Sequence, residues 1–225
     1  VRSRRQRQMC IRDRDIGEVY EAYQTVPSIK AKDDFLIQVT GGLNEANIDT
    51  STIEGKRELY KAAFTYWVVC EGTFFFSGFA MLLALSDKIP GIAEQIQYTL
   101  RDESIHIKFG TTLLNKIREQ NPDLMTDKFE TELTEVLKQA VELEIEYAKD
   151  VLPRGILGLN SEMFVEYMQF IANRRLENLN MKYRYDSDNN PFPWLSEVID
   201  IRKQKNFFET RVIDYQDESA LVDDF

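Results

Sequence analysis

The sequence predicts an all-α protein folded as an antiparallel helical bundle. Glycine (10 residues) and proline (6 residues) are scarce in a chain of 225 residues, which argues against many short strands joined by turns. The helix-stop signals stand far apart, so most segments between them are long enough for a helix of several turns. The chain is 43% hydrophobic and 29% charged, so such a bundle can bury a sizeable core.

Three helices are predicted in the first half of the chain. The first predicted helix ends before Pro27, because proline removes a backbone donor and disfavours a helical conformation in the residue before it. A glycine pair at 41–42 closes the second helix, and Thr52 or Ser51 can cap the start of the third. The predicted ranges are 16–23, 31–43 and 53–85.

Turn-forming residues divide the second half in the same way. Pro90 suits the first turn of a helix that ends near Arg118, and Thr126 can cap the next one. Ser161 is the predicted cap of the last long helix, and a short helix follows Pro193. The predicted ranges are 90–118, 126–152 and 160–180.

Charge and residue usage exclude several classes of function. The chain has 28 basic and 38 acidic residues, a net charge of -10, which argues against a nucleic-acid-binding surface. Its two cysteines, Cys10 and Cys70, are too far apart for a CxxC site and too few for a disulfide framework. His106 is the only histidine, so the HExxH and three-histidine zinc sites are excluded.

The first fifteen residues differ from the rest of the chain. Residues 1–15 contain six arginines and two aspartates, and the segment begins with Val1. A basic arm of this kind could contact nucleic acid or a membrane surface. The abrupt change of composition and the missing initiator methionine favour a second interpretation, a segment foreign to the fold. No function is assigned to it.

The predicted helix 53–85 contains one buried carboxylate. Between Lys61 and Asp87 the only charged residue is Glu71. The stretch is long enough to span a bilayer, but its glycines, threonines and serine and the amphipathic neighbouring segments favour the central helix of a soluble core. A carboxylate there needs a cation, a partner or a proton. A neutral, hydrogen-bonded core glutamate is the alternative to a ligand.

The next predicted helix supplies the partners. Its inward stripe is predicted to be Ile92, Ile96, Thr99, Glu103, His106, Gly110, Leu113 and Ile117. Glu103 and His106 lie three residues apart and therefore on one face of the helix. A Glu-x-x-His pair directed into a bundle core is half of the ligand set of carboxylate-bridged dinuclear metal proteins. Carboxylate oxygens and an imidazole together suit iron or manganese.

Six stretches of the chain carry a resemblance to a known family, in that family's order and spacing. They are CEGTFFFSGF at 70–79, RDESIH at 101–106, GILGLN at 155–160, YMQFIANRR at 167–175, NPFPW at 190–194 and NFFETRVIDY at 206–215. Together they resemble the small subunit of class I ribonucleotide reductase, over nearly all of residues 16–225. The resemblance implies a ferritin-like bundle over 16–205, a flexible docking tail over 206–225, and ribonucleoside-diphosphate reductase activity.

The resemblance also implies roles for individual residues. Glu71, Glu103 and His106 would bind one ion of a dinuclear iron or manganese–iron centre, which uses dioxygen to store a one-electron oxidant. Phe75 and Phe79 would line the dry pocket beside that centre, although core packing alone would also explain them.

Further residues would act in transfer of the radical. Asp102 would orient a histidine ligand and lie on the transfer path, and its alternative is a surface ion pair with its arginine neighbour. Tyr215 would relay the radical to the large catalytic subunit, with Glu209 as a nearby mobile carboxylate. A solvated tail aromatic is the alternative for Tyr215.

The acidic end of the chain resembles a docking peptide. Leu221, Val222 and Phe225 would anchor it on the large subunit. The family further implies a homodimer in the cytoplasm, with no role at a membrane or on nucleic acid.

The sequence departs from the family in one respect. No second Glu-x-x-His and no inward carboxylate before residue 50 are present, so only half of the ligand set is expected here. The chain is therefore expected to be a C-terminal part of a longer small subunit, inactive alone, with its metal pair undetermined. Two other classes stay open: another ferritin-like oxidase or oxygenase, and a non-catalytic helical interaction domain.

Overall fold

The computed structural model describes residues 20–41, 48–156, 159–187 and 189–195. Within these residues the regular secondary structure is helical, joined by turns, and contains no strand; Ile156 and Leu159 form only an isolated bridge. Residues 20–25 are helical as well. The helices are α1 (Pro27–Thr40), α2 (Ile53–Phe64), a π-helical segment (Thr65–Phe74), α3 (Phe75–Leu83), α4 (Pro90–Gln120), α5 (Asp127–Val151) and α6 (Ser161–Asn178). The all-α prediction is confirmed.

The chain divides into two compact units, one ending at Pro191 and the other beginning at Phe192. All of the named helices belong to the first unit. Of the second unit the structure describes only residues 192–195, in which residues 193–195 are helical, as expected after Pro193.

Local signals set most helix ends. The Thr52 side chain accepts a hydrogen bond from the Gly55 amide at 3.1 Å, and Thr126 caps α5 in the same way. The predicted cap of α6 is wrong by one residue. Asn160 accepts from the Met163 amide at 2.9 Å, and Ser161 is already helical. The predicted helix 31–43 instead spans Pro27–Thr40, because proline supplies a first-turn residue whose missing N–H is not needed there.

The predicted helix 53–85 is one continuous rod, but the pattern of backbone hydrogen bonds changes in its middle. Through the π segment the bonding shifts from i→i+4 to i→i+5, and at its end the Phe75 amide donates to the Cys70 carbonyl. The Thr73 hydroxyl donates to the Val68 carbonyl at 2.8 Å, again five residues back. Glu71 lies inside this segment. A π segment of ten residues is unusual, since such turns mostly occur singly and often at functional sites.

This rod is the core of the bundle. By length and composition Ile53–Leu83 could cross a membrane, but 61% of its most apolar window is buried inside the structure. Helix α4 packs along the π segment, and α5 packs on α6 and α1. Gly110 permits the close approach of α4, because a Cβ atom there would overlap the side chain of Trp67. The buried-core interpretation of the apolar stretch agrees with this packing.

The buried face of α4 differs from the predicted stripe. Ile92, Thr99 and His106 are exposed, whereas Glu103 and Gly110 are buried as expected. The buried row on α4 is Ala93, Leu100, Glu103, Ile107, Gly110, Thr111 and Leu114. The predicted stripe is wrong in part because it is rotated about the helix axis. Both patterns repeat every seven residues and share Glu103 and Gly110, but the structure buries Leu100, Ile107 and Leu114 where the prediction had the residue before each of them.

A buried ion pair joins α1 to α5. Lys32 pairs with Glu144, whose side chain is fully buried, and the Ser77 hydroxyl of α3 donates to the same carboxylate. The Lys32 ammonium also lies 4.7 Å from the ring centroid of Phe74 and 4.5 Å from that of Tyr147. Burial raises the pKa of Glu144, and Lys32 and Ser77 oppose that rise only in part.

We predict that Lys32→Met destabilises the chain by about 3–5 kcal/mol at neutral pH, because it leaves Glu144 buried and unpaired. Since the folded pKa of Glu144 is raised, the stability linked to its protonation is present at low pH and is lost as the pH rises through that pKa. The penalty should therefore be smaller at about pH 5 than at about pH 7.5. Urea unfolding followed by tryptophan fluorescence measures both values.

The control is Lys61→Met, which removes a partly exposed ion pair of 2.6 Å with Glu132 and should cost about 1 kcal/mol or less. The double variant Lys32→Met/Glu144→Gln should recover most of the loss, because no charge is then buried alone. A Lys32→Met protein as stable as the Lys61→Met protein would show that the buried pair is not the source of the penalty.

Candidate metal centre

The candidate centre forms where the π segment meets α4. Glu71 projects from the π segment, and Glu103 and His106 project from adjacent turns of α4. One potential ligand atom from each of the three lies within 4.8 Å of the others. Nδ1 of His106 is 3.1 Å from Oε2 of Glu103 and 3.8 Å from Oε1 of Glu71. The structure therefore brings together the three predicted metal ligands.

The electrostatics of the cluster favour a bound cation. Burial raises the pKa of Glu71, and the nearby Glu103 charge adds to that rise. The hydrogen bond with Glu103 raises the pKa of His106, a side chain that is 53% exposed. Oε2 of Glu71 is buried and has no hydrogen-bond partner within the described part of the chain. A cation would satisfy this oxygen and relieve the repulsion between the two carboxylates.

The donor set fits iron or manganese. Two carboxylates and one imidazole are hard and borderline donors, and half-exposed His106 leaves an open side for further ligands. Three side chains are too few to enclose two metal ions, and the described residues contain no other cluster of this kind. The residues present therefore fit one side of a dinuclear centre.

Three of the other predicted site residues lie within the described part of the chain, on the same rod and on α4. Phe79 is 6% exposed and Phe75 is 45% exposed, and their rings meet edge to face at a centroid distance of 6.2 Å. Only Phe79 is thus enclosed within the described residues. Asp102 is exposed on α4, and its charge contributes to the raised pKa of His106. Tyr215, Glu209, Leu221, Val222 and Phe225 lie outside the described residues.

Sequence reasoning missed two neighbours of Glu71. Hydrogen bonding to the Glu71 carboxylate raises the pKa of Tyr66, which lies five residues earlier, one π turn away. A period of 3.6 would not have placed these two side chains together. Cys70 is half-buried beside the cluster, and burial and the Glu71 charge raise the pKa of its thiol to about 11.

Several large side chains near the cluster along the chain are exposed. Four of them lie within five residues of a cluster member and are at least 45% exposed: Tyr66, Phe75, Ile105 and Phe109. Phe109 stacks edge to face on Trp67, with ring centroids 5.7 Å apart. Exposed aromatic surface of this kind is typical of a face that another protein element covers.

Comparison with known proteins places this arrangement in one family. A profile of the family "ribonucleotide reductase, small chain" matches residues 6–191. Ribonucleoside-diphosphate reductase subunit beta of Chlamydia pneumoniae is 50% identical over 209 residues, which are 92% of this chain and 60% of that protein. The ribonucleoside-diphosphate reductase small chain of Nicotiana tabacum is 32% identical over 67% of this chain and 44% of that protein. The chain thus spans about 60% or less of these relatives.

Solved structures share the fold. A Bacillus halodurans protein assigned as a class I ribonucleotide reductase matches with a TM-score of 0.72 at 26% identity, over 81% of this chain and 63% of that one. The ribonucleotide reductase R2 subunit of Clostridium botulinum matches with the same TM-score at 22% identity, over 81% of this chain and 56% of that one. Fold and site together define a ferritin-like protein with a carboxylate–histidine cluster. The chain belongs to the ribonucleotide reductase small-chain family.

We predict that Glu71→Gln leaves the metal-free chain at least as stable as the unmodified chain at about pH 7.5. The folded pKa of Glu71 is raised, so its ionisation opposes folding increasingly as the pH rises above the ordinary value of 4.5. The advantage of the glutamine variant should therefore shrink at about pH 5. Urea unfolding in the presence of a chelator measures the difference.

The matched control is Glu119→Gln, which changes an exposed carboxylate near the end of α4 and should leave stability unchanged. A loss of about 2 kcal/mol or more in the Glu71→Gln variant alone would mean that the ionised carboxylate stabilises the metal-free fold.

Proposed function

We propose that this chain contributes one half of the dinuclear metal centre of a ribonucleoside-diphosphate reductase small subunit. The observation that carries the proposal is the convergence of Glu71, Glu103 and His106 on one face of the bundle, in a member of this family. The exposed large side chains near the cluster support it, because further helices carrying the remaining ligands would cover them.

Each residue of the half-site has a separate task. Glu71 and Glu103, both buried, would supply anionic oxygens to the metal. His106 supplies a nitrogen, and its Nδ1 contact with Glu103 sets the orientation of the ring in the metal-free state. The enclosed ring of Phe79 adds apolar surface on the inner side. When bound, an iron or manganese–iron pair reduces dioxygen and stores a one-electron oxidant.

The remaining assignments complete the proposal. Asp102 lies on the exposed side of α4, next to the half-site, where it can connect His106 to groups outside the bundle. Tyr215 and Glu209 relay the radical to the large catalytic subunit, where ribonucleotides become deoxyribonucleotides. Leu221, Val222 and Phe225 anchor the tail of residues 206–225 on that subunit. We place the whole protein in the cytoplasm as a homodimer.

The test uses a full-length form of the protein, in which the remaining ligands are present. Metal content and ribonucleotide reduction with the cognate large subunit should both be lost in His106→Gln and Glu103→Ala. Glu119→Gln, an exposed change on the same helix, should leave both unchanged. The 225-residue chain alone should bind iron weakly, because half of its ligands are missing. Stoichiometric retention of two irons by the 225-residue protein would contradict the half-site assignment.

A second prediction concerns the tail. A peptide of residues 215–225 should bind the large subunit and compete with the small subunit at modest affinity, because ordering a flexible peptide opposes binding. Deleting Phe225 should abolish competition, because the apolar anchor is lost. Tyr215→Phe should preserve binding and stop turnover, because phenylalanine packs similarly but is not readily oxidised. Normal turnover of the Tyr215→Phe enzyme would exclude the relay.

A further inference from the structure

Arg175 of α6 contacts the π segment next to Glu71. Its side chain is buried, and Nε donates a hydrogen bond to the Gly72 carbonyl at 2.8 Å. Its guanidinium lies over the ring of Phe76, 4.6 Å from the centroid. Gly72 directly follows Glu71 in the chain, and Phe76 lies five residues after Glu71. Arg175 therefore contacts the rod beside Glu71 and again one π turn beyond.

The contact depends on the absence of a side chain at Gly72. A Cβ atom at this position would lie 2.8 Å from the Trp67 carbonyl oxygen and 3.0 Å from Nε of Arg175. Both distances are too short for ordinary packing, and the carbonyl belongs to the rigid backbone. Glycine thus permits the close approach of the Trp67 carbonyl and of the Arg175 guanidinium at the same residue.

Burial of the Arg175 guanidinium costs desolvation free energy. Among the described residues Arg175 forms no ion pair with a carboxylate, and its Nη2 has no hydrogen-bond partner. Burial lowers the pKa of Arg175 to about 10, and the neighbouring Arg174 charge adds to the effect. A buried charge of this kind is a weak source of overall stability, so its specific contacts are the better guide to its role.

Those contacts bear on the conformation that presents Glu71. π-helical turns are rare and mostly occur singly, so tertiary contacts must hold a segment of ten residues. We propose that Arg175 is a positioning residue, which holds the π segment in register so that the Glu71 carboxylate meets Glu103 and His106. The effect of Arg175 on metal binding rests on the proposed function. The effect of Arg175 on the π conformation of residues 65–74 does not.

The first test measures amide hydrogen exchange in the metal-free 225-residue chain. Arg175→Met should speed exchange in peptides from residues 65–76 by about tenfold or more, because a buried hydrogen bond to the segment is lost. Peptides from α5 should exchange as in the unmodified chain. The matched control is Arg174→Met, which removes an exposed arginine that stacks on Phe170, and it should change neither region.

Arg175→Lys keeps the cation but lacks the planar fork of donors, so it should give an intermediate exchange rate in residues 65–76. This variant keeps the proposal testable if the methionine protein fails to fold. Faster exchange throughout the chain in both variants would overturn the proposal and leave Arg175 as a packing residue. Exchange in residues 65–76 equal to that of Arg174→Met would overturn it as well.

The second test titrates the same proteins with Co²⁺ and follows visible absorption. Arg175→Met should weaken Co²⁺ binding by about 10- to 100-fold, the usual cost of losing a residue that orients a ligand, and Arg174→Met should not. Unchanged Co²⁺ affinity in Arg175→Met would refute the positioning role. The variant His106→Gln removes a proposed ligand and tests the metal site itself. If Co²⁺ binding is unchanged in this variant, the proposed function fails. The hydrogen-exchange experiment then decides alone whether Arg175 holds the π conformation.

Discussion

A carboxylate in the middle of the most apolar helix is the constraint on which the rest of the structure depends. Glu71 lies in the core rod, where ionisation costs free energy unless a cation or a hydrogen-bond donor is near. Helix α4 brings Glu103 and His106 to it, and the close packing of Gly110 on Trp67 fixes the distance between the two helices. The bundle therefore buries one carboxylate in its core and brings a second carboxylate and an imidazole next to it.

The features that sequence analysis predicted are those that depend on neighbours along the chain. Capping by Thr52 and Thr126 and the first-turn position of Pro90 are local, because each group acts on amides within one turn. The pairing of Glu103 with His106 follows from helical spacing in the same way. The proximity of Glu71 required a second argument, namely that a lone carboxylate in an apolar helix needs partners.

The features that it missed depend on residues far apart in the chain. The Arg175–Gly72 hydrogen bond joins residues 103 positions apart, and no local pattern marks residues 65–74 as π-helical. The Lys32–Glu144 pair is invisible for the same reason, since both residues read as ordinary charges on amphipathic helices. The exposure of His106 was missed because the predicted stripe was rotated about the axis of α4, so that it included His106 where the structure buries Ile107.

The raised pKa of Cys70 bears on the chemical stability of the chain next to Glu71. With a pKa of about 11, only about one thiol in ten thousand is ionised at neutral pH. The thiolate is the form of cysteine that acts as a nucleophile and is oxidised, so a protonated sulfur reacts slowly with peroxides. Burial of this thiol thus protects the residue next to Glu71 from oxidation.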